Sequence, residues 1–216
     1  MLHDRITTES LIYAYTHGYF PMWNQYEGIM EWHNPNPRAI FLLDSIKVSK
    51  SLRQSLRKNT FHYTVDCAFS DVIRSCANRQ DCWINEEIIE QYCHLHHQGI
   101  AHSFEVWDEN ILVGGLYGVA VGGAFCGESM FSIKTDASKC AFIYSCIFLK
   151  LCQFHFIDSQ YLNHHTASLG AFDISHDQYM TLLENAIQAG PLFQREIASC
   201  ISHPLDYLPM INGGIQ

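Results

Sequence analysis

No run in this sequence reaches the roughly 18 consecutive apolar residues that a membrane-spanning helix needs. Nor does its start join basic, apolar and small residues in the order of a signal peptide, and a cytoplasmic protein is expected. Charge is scarce: 16% of the 216 residues are Asp, Glu, Lys or Arg, against 48% apolar. That balance excludes a disordered chain and allows a substantial core. Nine cysteines contain no CxxC pair, so zinc ribbons and fingers are excluded, and the thiols are read as reduced and mostly buried. His94, His96 and His97 fall on different faces of a helix, and no metal is expected. A P-loop, a GxGxxG fingerprint and a GxSxG elbow are all missing, which disfavours the chemistries they serve. Internal repeats and low-complexity linkers are absent too.

Basic charge is unevenly placed. Net charge is −9, yet six of the 13 Lys and Arg lie between Arg38 and Lys58, with one acid, Asp44. For a polyanion site the local field matters more than the total. Val48, Leu52 and Leu56 recur every four residues from Ser45 to Lys58. Lys47, Lys50, Arg53 and Arg57 recur on another face, giving an amphipathic helix with a basic stripe. That stripe is either a solvated face or a phosphate-contacting one.

Periodicity predicts the remaining elements. Helices are expected over 8–17, 67–76, 85–97, 137–154 and 176–188. Strands are expected over 38–43, 61–65, 102–108, 111–121, 124–132 and 156–160. Residues 19–37, rich in aromatics and proline, read as loop and short strand. The tail from Gly190 on reads as loosely ordered. The division is a smaller N-terminal domain with the basic helix (1–100), a meander, buried helix, strand and helix (101–190), and an irregular tail (191–216). The fold class is α+β.

Two polar islands interrupt apolar strands. Glu128 stands in Cys126-Gly127-Glu128-Ser129-Met130-Phe131, where a buried carboxylate needs a structural partner, such as Tyr117 or a helix N-terminus, or a ligand. Asp158 and Gln160 are two apart on a strand and are expected on one face. They suit orienting an amine or relaying a proton, or they tie strand to helix. Asn163, His164, His165, Thr166 and Ser168 follow directly, either lining the same pocket or satisfying loop backbone.

The order of short motifs resembles that of the leucyl/phenylalanyl-tRNA–protein transferase family over about residues 4–187. The resemblance is carried by Tyr15 to Pro21, Asn34-Pro35-Asn36-Pro37-Arg38, Trp83-Ile84, His102 to Trp107, Leu112 to Val119, Phe125 to Ser132, Ala137-Ser138-Lys139, Ile157 to Gln160 and His165 to Gly170. It implies a GNAT-like acyltransferase domain, a mixed and mostly antiparallel sheet with packed helices, preceded by a smaller α/β domain. It implies transfer of Leu, Phe and Met from aminoacyl-tRNA to proteins with N-terminal Arg or Lys, marking them for N-degron proteolysis. By the same resemblance Asp158 and Gln160 orient and help deprotonate the amine, and Glu128 is an acid in the substrate pocket. Met130 and Ile157 line that pocket, with Ser129, Asn163 and Thr166 as further substrate contacts, and Trp83 meets the terminal adenosine. Many members have Phe-Pro-Trp where this chain has Phe20-Pro21-Met22-Trp23, so Met22 or Trp23 is expected to take that place. Lys47, Lys50, Arg53 and Arg57 become candidates for the tRNA backbone. A monomer without cofactors is expected. The alternative is a catalytically silent tRNA- or peptide-binding protein on the same scaffold. Acetyl-CoA use is disfavoured, because Ile133 to Lys139 offers no glycine-rich pyrophosphate loop.

Overall fold

Alternation along the strands sorts the apolar side chains into two cores, one on each face of a central sheet. The computed structural model describes residues 6–24, 26–78, 83–190 and 192–213. Cys82, Pro191 and Gly214 lie outside the described residues. In chain order the elements begin α1 (Thr8–Thr16), β1 (Phe20–Asn24), β2 (Ile29–His33), β3 (Arg38–Leu42), α2 (Lys50–Arg57) and β4 (His62–Val65). Then come α3 (Phe69–Ala77), α4 (Glu86–His97), β5 (Ala101–Asp108), β6 (Ile111–Val121), β7 (Ala124–Ser132) and α5 (Ala137–Leu151). The chain continues through β8 (Phe156–Gln160), α6 (His164–Leu169), β9 (Phe172–Ile174) and α7 (His176–Gln188). It closes with two 3-10 turns, Arg195–Cys200 and Pro204–Tyr207, and α8 (Leu208–Ile211).

Seven strands form one sheet in the order β4-β5-β6-β7-β8-β3-β9. Every neighbouring pair is antiparallel except β7–β8. This is a mixed, mostly antiparallel α+β fold, and β3 and β4, from the first hundred residues, are strands of its sheet. Phe41, Leu116, Phe125 and Ile157 face a core with α2, α5 and α8. Their neighbours Ile40, Tyr117, Cys126 and Phe156 face a second core with α1, α3, α4 and α7. Gly114 lets α5 start close against β6, since a Cβ there would stand 2.6 Å from that of Ala137. No helix among the described residues is long and apolar enough to cross a membrane.

Three expectations need correction. The basic helix begins at Lys50, where Ser49 caps it by accepting from the Leu52 N–H, and not at Ser45; the segment before it is tied to the Ile211 and Leu169 carbonyls through the Ile46 and Lys47 N–H groups. Lys47 therefore precedes the helix. Residues 20–33 form an antiparallel hairpin pairing Met22 with Glu31 and Trp23 with Met30, a pattern that proline and aromatic residues mask in sequence. The tail is packed rather than loose: Leu208 and Ile211 are buried in the α5 core, and Ser45 bridges Asn212.

Candidate active site

The central feature is a fork. The parallel pairing of β7 with β8 runs through Ala124–Phe156 and Phe125–Ile157 and ends at Cys126–Asp158. Each strand carries an irregularity just beyond. In β7 the register against β6 shifts so that Glu128 has no partner between Gly127 and Ser129. In β8 the register against β3 leaves Ser159 extra between Asp158 and Gln160. Bulges of this kind bend a strand and re-aim its side chains. A cavity of about 460 Å³ opens in the fork, with residues 127–130 on one wall and 157–160 on the other.

Asp158 and Gln160 do not share one face as their spacing predicts, and the β8 bulge is the reason. Gln160 takes a positive φ of 65°, and its side chain and that of Asp158 find different partners. Asp158 is wholly buried and receives Arg38 twice, Nε to Oδ1 at 2.9 Å and Nη2 to Oδ2 at 2.6 Å. Tyr179 donates its hydroxyl to Oδ2 at 2.8 Å, and the Gln160 backbone N–H donates to Oδ1 at 2.9 Å. Arg38 is buried as well, donates to the Gly18 carbonyl at 2.9 Å and lies over the rings of Phe20 and Tyr179. Burial disfavours its charge, but the Asp158 carboxylate outweighs this and holds the guanidinium above its ordinary pKa. Such a fork-to-fork pair satisfies the charge geometry that burial demands.

Glu128 has a different environment. Gln160 Nε2 donates to its Oε1 at 2.9 Å across the fork, and Tyr92 donates to Oε2 at 3.3 Å. Tyr92 in turn shares a hydrogen bond with the Tyr15 hydroxyl. Glu128 remains partly exposed to the cavity, and no cation forms an ion pair with it among the described residues. Burial pushes its carboxyl up to about 8, helped by the nearby Asp158 charge and opposed by the Tyr15 and Tyr92 hydroxyls and by Arg38.

The structure brings Trp83, Ser129, Met130, Ile157, Asn163 and Thr166 to the wall of the same cavity. Asn163 also caps α6, accepting from the Thr166 N–H at 2.9 Å. Met22 and Trp23 do not line this cavity, since the β1–β2 hairpin packs them half-buried against the α1–α4 side. Lys50, Arg53 and Arg57 stand on α2, outside the cavity. Lys47 adjoins its rim, bonding through its backbone to Leu169, a wall residue of α6. Sequence reasoning gave no site role to Arg38, Tyr15, Tyr92 or Tyr179. The available signals were an arginine opening the apolar strand Arg38–Leu42 and tyrosines at the buried positions of helices.

Known proteins share much of this sequence. A family model described as leucyl/phenylalanyl-tRNA protein transferase matches residues 40–184, and one for the N-terminal domain of that family matches residues 4–36. A leucyl/phenylalanyl-tRNA–protein transferase of Chlorobaculum tepidum is 44% identical over 186 residues, 84% of this chain and 96% of its own. Proteins of the same name are 41% identical in Herpetosiphon aurantiacus, over 88% of this chain and 98% of theirs, and 45% identical in Yersinia enterocolitica, over 84% and 77%. The solved structure of L-PGS from Bacillus licheniformis covers 92% of this chain and 63% of its own at 14% identity and a TM-score of 0.39, too slight a likeness to bear on fold or function. The sequence matches make this chain an aminoacyltransferase. It belongs to the leucyl/phenylalanyl-tRNA–protein transferase family.

Proposed function

We propose that this protein transfers Leu, Phe and Met from aminoacyl-tRNA to the α-amine of proteins beginning with Arg or Lys, marking them for N-degron proteolysis. The observation that carries the reading is the fork cavity, which joins apolar walls to an acid–amide pair, Glu128 and Gln160, on opposite strands. An aminoacyl ester is already activated, so catalysis needs positioning and proton management rather than a cofactor. Met130 and Ile157 supply apolar wall for the donor side chain, where differences of a methylene or two give only about 1–3 kcal/mol of discrimination. Trp83 offers a flat face for the terminal adenosine, a contact typically worth about 1–3 kcal/mol. Ser129, Asn163 and Thr166 contribute polar contacts at the same wall. Lys47, Lys50, Arg53 and Arg57 take the tRNA backbone; none forms a salt bridge with an acid among the described residues.

A GNAT-like description of the catalytic unit is supported by the antiparallel run β5–β7, the helix α5 and the return to a parallel strand, β8. The cytoplasm, where charged tRNA is made, is the matching compartment, and the described cysteines are free thiols. The test is incubation with Leu-, Phe- and Met-tRNA in parallel and a peptide beginning with Arg, followed by mass spectrometry. A peptide extended by one residue supports the reading. A folded protein that binds both substrates yet leaves the peptide unextended overturns it in favour of a silent binding protein.

A further inference from the structure

We infer that Glu128 takes the proton of the incoming amine, and that Asp158, locked by Arg38, is a positioning residue that sets the place of Gln160. This rests on the transfer reaction proposed above. The two carboxylates lie on adjacent strands beside one cavity, so geometry must decide between them.

Asp158 has no capacity left. A carboxylate offers about four acceptor sites, and Arg38 Nε, Arg38 Nη2, the Tyr179 hydroxyl and the Gln160 N–H occupy four. Its side chain is 0% exposed. Taking up a proton would displace a donor and strand a buried guanidinium. What Asp158 does hold is the backbone of Gln160, in the left-handed conformation that follows the β8 bulge.

Glu128 has capacity and access. Its bulge turns it into the fork, only neutral donors hold it, and it faces the cavity. The groups facing it are Tyr15 of α1, Tyr92 of α4, Asp158 and Gln160 of β8, and Arg38 of β3; Cys126 lies two residues earlier on its own strand. Burial sets this carboxyl nearer neutrality than an ordinary acid, which suits a base working near physiological pH. Gln160 donates to Glu128 through Nε2, which leaves its amide oxygen as an acceptor for the ammonium.

In the transfer step the peptide's ammonium gives one proton to the Glu128 carboxylate and becomes a neutral amine. Its lone pair attacks the ester carbonyl carbon, and the new C–N bond forms as the C–O bond to the ribose breaks. The second proton lost from nitrogen goes to the departing ribose oxygen. Glu128 then releases its proton to solvent, so one proton leaves per turnover.

The experiment measures kcat and KM against pH for wild type, Glu128→Gln, Glu128→Asp, Asp158→Asn and Arg38→Lys, at saturating Phe-tRNA with an Arg-starting peptide. Circular dichroism verifies each fold. Glu128→Gln is expected to lower kcat by about 10²–10⁴-fold and to lose one of two ionisations, keeping that of the peptide's own α-amine. Glu128→Asp keeps both ionisations at a reduced rate. Asp158→Asn and Arg38→Lys lower kcat but keep both ionisations, as positioning residues do. The inference is overturned if Glu128→Gln keeps the wild-type kcat and profile and changes only the peptide KM, or if Asp158→Asn is the variant that loses an ionisation. Absence of transfer by wild type overturns the reaction, and the inference with it. Transfer by wild type together with an unchanged Glu128→Gln overturns the inference alone.

Discussion

Two acids beside one cavity, Asp158 and Glu128, have opposite surroundings. Asp158 sits where the strands are still paired, and a buried cation and a tyrosine hydroxyl close around it. Glu128 sits where the strands have parted, held by an amide and a hydroxyl, with no ion pair to it among the described residues. The lesson is that a buried ion pair uses up the acceptor sites of one carboxylate, whereas neutral donors in a buried setting leave the other open to the cavity, with its pKa raised. One strand fork thus produces a rigid element and a responsive one.

The comparison breaks most visibly at Arg38. Arg38→Met should destabilise the protein by about 3–5 kcal/mol, because it leaves the Asp158 charge buried without its partner. Urea unfolding measures this, and a second change, Asp158→Leu, should recover much of the loss. A loss below about 1 kcal/mol would mean that the pair behaves like a surface ion pair.

Tyr92→Phe should cost about 1–3 kcal/mol, since it strips a donor from Glu128 and leaves the buried Tyr15 hydroxyl short of a partner. The Tyr92 hydroxyl holds the Glu128 pKa down. Its removal should move the pH–rate profile upward, and a profile shifted downward would contradict the network.

Glu128→Gln should alter the slope of stability with pH more than stability itself. The folded carboxyl keeps its proton up to about 8, while the unfolded one loses it in the ordinary range near 4.5. Between those values the folded state binds more protons, so wild-type stability contributed by this group falls as pH rises. The Gln variant should lack that fall, and paired urea titrations across the window would detect it. Parallel curves for the two proteins would mean that Glu128 has an ordinary pKa.

The smallest effect on folding is expected on α2. Neutralising Lys50, Arg53 and Arg57 together should change stability by no more than about 0.5 kcal/mol per site. It should weaken tRNA binding and flatten its log–log salt dependence by roughly 0.7–0.9 for each phosphate no longer neutralised. An unchanged salt slope would remove α2 from the tRNA surface.

Much of this arrangement is legible in sequence. Alternation in β5, the turns that separate β5, β6 and β7, the helical period of α4 and the apolar run of α5 mark the main elements, and the polar islands at 128 and 158–160 mark the two walls of the cavity. The bulges are not legible, because one extra residue in a strand leaves no compositional trace, and so the divergence of Asp158 from Gln160 stays hidden. Arg38 is hidden for another reason: it opens a run of basic residues and reads as one of them, although the fold buries it 120 positions away in sequence from its partner. The hairpin at 20–33 is obscured by Pro21 and clustered aromatics, and the packed tail by Pro204 and Pro209, which mask the helical turns that seat Leu208 and Ile211.

The most direct test of the two-acid division is the titration of the Glu128 carboxyl itself, followed by ¹³C NMR on protein labelled at glutamate and assigned by the signal missing in Glu128→Gln. A midpoint near 8 is the predicted result. A midpoint in the ordinary carboxylate range, near 4.5, would contradict it and return the proton to another group.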